Sequence, residues 1–163
     1  MFKTKAGSTR KVLMFFGLVI KLPFLFRLRQ RKFRKLSEYY FWKGVVSNLT
    51  EYATFRTSGY RLPFLTPTYF SLFGLFNVQR YEKGRQPSEA ELREMRARWS
   101  PEAQRNAERV DSHHLQVTNF IVNNRGWHVI DYGDHVNSWG MSFSCFLIEH
   151  AEELAKCFSS GRA

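Results

Sequence analysis

A chain of 163 residues, 44% hydrophobic and 17% aromatic, buries enough apolar surface to exclude a disordered tail, and its length excludes two independent large domains. A net charge of +11 points to nucleic acid, anionic lipid, nucleotide phosphates or an acidic protein surface as partners. Cys145 and Cys157 lack a His or Cys neighbour at zinc-ligand spacing, which argues against a disulfide framework or a structural zinc site and fits a reducing cytoplasm.

At the N-terminus, Lys3, Lys5, Arg10 and Lys11 precede the apolar run VLMFFGLVI of residues 12–20, in the manner of a signal peptide. No small-x-small cleavage site follows, however, and the run stops at Lys21 and Pro23, well short of the about 20 residues that a spanning helix needs. A membrane anchor is therefore the lesser expectation. Residues 11–22, rich in β-branched and aromatic side chains and bounded by Gly-Ser-Thr and Pro23, read as one or two strands.

From Arg29 to Phe55 there is no proline, and Phe33, Leu36, Tyr40, Val45, Leu49, Tyr52 and Phe55 recur near the helical period. The spacing predicts a long amphipathic helix with a possible interruption at Gly44. Two apolar runs on either side of Gly74 predict a hairpin of residues 67–73 and 75–81. Beyond Gly84 the composition turns highly charged. Ser88 with Glu91 has capping-box spacing, and Ser100-Pro101 forms a second helix start, so two surface helices or one kinked helix are expected. LQVTNFIVNN and GWHVIDYG return to strand character around an Asn-Asn-Arg-Gly turn, and a last amphipathic helix is expected at about Ser144 to Phe158.

Taken in order, these parts are a strand behind Gly-Ser-Thr, a lysine ending an apolar strand (Val19-Ile20-Lys21), a long helix and a hairpin. After a charged connector come Asn119 and then Asp131-Tyr132-Gly133 across a second hairpin. This order resembles the protein-kinase-like superfamily, in a minimal form of bacterial or phage type. The resemblance implies an α+β architecture, a truncated protein-kinase-like fold. Residues 1–84 would form a small β-rich N-lobe holding the long helix, and residues 85–163 a reduced C-lobe. It implies that Lys21 neutralises the phosphates of ATP, that Glu51 (or Glu38) steadies the lysine, and that Gly7 lends backbone amides to the phosphates. Asn119 and Asp131 would hold Mg2+, a hard ion that takes oxygen ligands.

The sequence departs from that pattern at the catalytic base. The position five residues before Asn119 is His114, and the nearest aspartate upstream is Asp111, so either residue stands for the base or the protein is a pseudokinase. His113, His114, His128 and His135 fit no zinc-ligand spacing and read as structural or surface histidines. The run RLRQRKFRKL, with Arg27, Arg29, Arg31, Lys32, Arg34 and Lys35, reads as a solvated helix end or as an unselective phosphate contact. A rival reading from another class is a small basic phage-type inhibitor that grips an acidic host protein or nucleic acid without catalysis, and a third is a peripheral membrane protein anchored by residues 12–36.

Overall fold

A computed structural model describes residues 3–6, 9–24, 34–59, 62–110, 112–134 and 141–159. The N-terminal half is a five-stranded antiparallel sheet with one long helix against it. Strands β1 (Lys3–Ala6), β2 (Arg10–Phe15) and β3 (Leu18–Pro23) form a meander, and β4 (Thr68–Leu72) and β5 (Phe76–Arg80) form a hairpin that adds to β3, giving the order β1-β2-β3-β5-β4. The β2–β3 turn uses two residues, Phe16 and Gly17, at φ 44° and 78°. Positive φ at both positions matches the right-handed twist of the strands they join. That turn fixes Val12 opposite Lys21 and Arg10 opposite Pro23. Because side chains alternate across a strand, Arg10, Val12 and Lys21 all point to the same face of the sheet.

Helix α1 (Arg34–Ser58) joins β3 to β4 and is continuous through Gly44, the point at which the sequence allowed an interruption. Glycine serves close packing at this point. A Cβ on Gly44 would stand 2.8 Å from the Thr9 carbonyl oxygen and 2.9 Å from Cβ of Pro23. The buried stripe of α1 also differs from the apolar one that the sequence suggested. Leu49 is 42% exposed, whereas Ser47, Asn48, Glu51, Thr54 and Ser58 are buried. They recur at the spacing of one helix face, so the face that α1 turns inward is largely polar.

The second half holds most of the apolar core. Helix α2 (Glu89–Ala97) starts in the capping box read from the sequence, with Ser88 and Glu91 each accepting from the other's backbone N–H. Helix α3 (Pro101–Arg109) starts at Ser100, whose side chain accepts from the Ala103 N–H. Neither is a pure surface helix, since Leu92, Met95, Ala103 and Ala107 are buried. The strand character expected just before Asn119 is replaced by two short 3-10 turns, Ser112–Leu115 and Val117–Asn119. A hairpin of β6 (Phe120–Asn123) and β7 (Gly126–Val129) follows. The C-terminal helix is two helices, α4 (Phe143–Glu149) and α5 (Ala151–Ser159), parted at His150. Phe120, Phe146, Leu154 and Phe158 of this region are almost wholly buried. Each contributes about 1.5–3 kcal/mol relative to exposure. Among the described residues no helix is long and apolar enough to cross a membrane.

Candidate functional site

Where the inner face of the sheet meets the polar stripe of α1, charged side chains converge. Lys21, on the third strand, is 4% exposed. Its Nζ donates to Glu51 Oε1 at 2.6 Å and to the Ile130 carbonyl at 2.6 Å, and lies 3.9 Å from Asp131 Oδ1. Glu51 has no exposed surface, and its second oxygen accepts from Arg10 at 3.2 Å and from Asn77 Nδ2 at 3.3 Å. Arg10 also donates to Asn48 Oδ1 at 3.0 Å and, through its other terminal nitrogen, to Asp131 Oδ1. Two cations thus face two carboxylates, with Asp131 at the solvent edge, its side chain 40% exposed.

This arrangement fixes the protonation states. Burial pulls the Lys21 ammonium down to about 8, Arg10 adds to the fall, and the charge and hydrogen bond of Glu51 oppose it. Burial would push the Glu51 carboxyl up, but Lys21 and Arg10, with hydrogen bonds from Lys21 and Asn77, outweigh it and hold Glu51 below the usual carboxylate range. At neutral pH the pair is therefore ionic. A buried ion pair is sustained only where further hydrogen bonds satisfy it, as the Ile130 carbonyl, Asn77 and Asn48 do at this site.

The segment that carries Asp131 is strapped along α1. The Tyr132 N–H donates to Glu51 at 3.4 Å, Ser47 Oγ donates to the Gly133 carbonyl at 2.9 Å, and the Asp134 N–H donates to Thr50 Oγ1 at 2.6 Å. These bonds engage Ser47, Thr50 and Glu51 of α1. Gly133 is required by proximity, because a Cβ there would stand 2.1 Å from the Ser47 carbonyl oxygen. The Tyr132 hydroxyl donates to the Thr66 carbonyl at 2.7 Å and lies 2.8 Å from Thr68 Oγ1, which anchors the segment beneath the sheet.

Lys21, Glu51 and Asp131 are thus brought together. Glu38, the other glutamate considered, is exposed on an earlier turn of α1. Asn119 is buried at the end of its 3-10 turn, and its carbonyl accepts from the Ile130 N–H at 2.9 Å, so the hairpin places it across from the residue before Asp131. His114 packs between Phe143 and Asp134. Its side chain is 4% exposed, its ring stacks on Phe143 of α4 at 5.0 Å, and its Nε2 is 3.6 Å from Asp134 Oδ1. Gly7, Asp111, His135 and the basic run from Arg27 to Phe33 lie outside the described residues, as do the side chains of Arg34, Lys35 and His113.

Arg10, Asn48 and Asn77 belong to the cluster and were not singled out from the sequence. For Arg10 a signal existed, since a hairpin centred on Phe16-Gly17 puts it on the same face as Lys21. The residues present do not fit the divalent ion that the resemblance implies. Asp131 Oδ1 already takes the Arg10 guanidinium and has the Lys21 ammonium 3.9 Å away, so an entering dication meets two fixed cations at its ligand. Among the described residues, no group of three or more His, Cys, Asp or Glu side chains is placed to hold a metal.

No protein-family model, no curated protein and no solved structure matches the chain.

Proposed function

We propose that this protein is a minimal protein-kinase-like pseudokinase, which binds ATP beside Lys21 and does not transfer its phosphate. The observation that carries the reading is the buried Lys21–Glu51 pair at 2.6 Å with Asp131 Oδ1 at 3.9 Å from the same ammonium. In kinases a third-strand lysine, paired with a helix glutamate, neutralises nucleotide phosphates next to the aspartate of the Asp-Phe-Gly segment. The sheet, α1 and the hairpin ending in Asp-Tyr-Gly supply those three groups in that order. Absence of transfer is supported by His114. A general base must come within hydrogen-bond reach of the attacking hydroxyl, and the His114 ring is enclosed between Phe143 and Asp134.

Thermal unfolding with and without ATP tests the binding. At a hundredfold excess over Kd, a ligand of the native state adds about 2.7 kcal/mol, which raises the melting temperature of a domain this size by roughly 5–10 °C. Absence of any shift at millimolar ATP would refute nucleotide binding. Incubation with γ-labelled ATP should leave the protein and generic protein substrates unlabelled, and turnover would refute the pseudokinase assignment.

A second reading, a partner-binding protein, has its own observation. The face of the sheet opposite Lys21 exposes Phe15, Leu18, Phe70 and Leu72, and the turn residues Phe16 and Phe73 are 81% and 79% exposed. Exposed apolar side chains in a +11 protein suit an acidic partner with an apolar centre. Salt-sensitive retention of an acidic protein that is lost on Phe70→Ser would support it, and unchanged retention by that variant would refute it.

A further inference from the structure

We propose that the site takes its nucleotide triphosphate without a divalent metal ion, because the guanidinium of Arg10 stands as a built-in cation against Asp131. This rests on the nucleotide-binding reading above and concerns how that same site is charged.

Three observations carry it. First, Arg10 is 5% exposed and fixed from three directions, by Asn48 at 3.0 Å, Glu51 at 3.2 Å and Asp131. A guanidinium held by three acceptors is part of the site's architecture and not a passing surface charge. Second, Arg10 neutralises the charge sum of the site. Lys21 (+1), Glu51 (−1) and Asp131 (−1) alone give −1, which repels a phosphate until a dication reverses it, whereas Arg10 (+1) brings the sum to zero with no metal bound. The +11 charge of the whole chain then supplies the long-range attraction for a polyanion. Third, the position is set by the fold. Arg10 opens β2 directly after Thr9, and the β2–β3 register places it diagonal to Lys21 on the inner face. The two cations therefore sit side by side, and Asp131 faces them both from the solvent edge.

The test is calorimetric titration of ATP into the wild-type protein and Arg10→Ala, each with excess EDTA and with excess Mg2+. Wild type should bind in EDTA with an affinity within about threefold of that in Mg2+, whereas Arg10→Ala should lose tenfold or more in EDTA and recover with Mg2+. Wild-type binding that requires Mg2+ would overturn the inference and leave the nucleotide-binding reading standing. Absence of binding in both buffers would overturn the two together. The wild-type comparison decides the matter even where Arg10→Ala does not fold, and Arg10→Lys, which keeps the charge, should retain binding in EDTA.

Discussion

Lys21 and Glu51 meet at 2.6 Å, the glutamate having no exposed surface and the lysine only 4%. Their charges are held there by each other and by Arg10. Glu51→Ala should therefore destabilise the protein by about 3–5 kcal/mol, because it leaves two buried cations with only Asp131 to answer them. Urea unfolding measures this as a lower midpoint at unchanged slope. A loss under about 1 kcal/mol would show that the pair is not buried as described.

The lowered Lys21 gives a pH signature in two senses. The folded-state value of about 8 lies below the ordinary 10.5, so between these values the unfolded chain binds more protons, and the Lys21 contribution to stability rises with pH across that window. ATP binding runs the other way, since the phosphates need the ammonium form, and affinity should fall as pH rises through about 8. The groups facing Lys21 are Arg10 from β2, Glu51 from α1 and Asp131 after β7, and Glu51 stays ionised throughout the range. Titrations at pH 7 and pH 9.5 check it, and an affinity flat across that interval would contradict the role given to Lys21.

Gly133→Ala should cost about 3 kcal/mol, because the added methyl group meets the Ser47 carbonyl first, and backbone cannot swing away as a side chain can. The strap along α1 would lift, and Asp131 with it, so stability and nucleotide affinity should fall together. A thermal midpoint within 1–2 °C of wild type would contradict the close approach.

Tyr132→Phe separates structure from function. The hydroxyl is buried, and burial with the neighbouring Glu51 charge pushes its ionisation far above the working range, so it acts through hydrogen bonds, chiefly to Thr66 and Thr68. Phenylalanine fits the same space and removes those bonds, while Gln79 Nε2 still donates to the Thr66 carbonyl and to Thr68 Oγ1, so the cost is about 0.5–1.5 kcal/mol. ATP affinity, measured below the new melting temperature, should be unchanged.

Much of the framework was legible in the sequence, because local rules and the final structure agree there. The β4–β5 hairpin, the Ser88 and Ser100 helix starts, and a strand that carries Lys21 all follow from turn chemistry, capping and periodicity, although the strand runs on to Pro23. The inner face of α1 was not legible. A search for apolar recurrence passes over Ser47, Asn48 and Glu51, which are buried and hydrogen-bonded there by the Asp-Tyr-Gly segment and Arg10. Such burial depends on partners far away in the chain. The break at His150 is of the same kind, set beside a contact with Asn106 of α3 at 3.2 Å and carrying no proline or glycine to announce it. Arg10 was counted among the leading charges of an apolar run, and its inward direction follows once the hairpin turn is placed at Phe16-Gly17.

The central claim is that the Lys21 ammonium receives the phosphates of ATP. Calorimetric titration of ATP into wild type and Lys21→Met at pH 7 tests it most directly, since Arg10 still pairs with Glu51 in that variant and the fold can be checked by circular dichroism. The account predicts saturable binding to the wild type and at least about a tenfold weaker affinity in a folded Lys21→Met. No heat of binding in the wild type, or equal affinity in the two proteins, would contradict it.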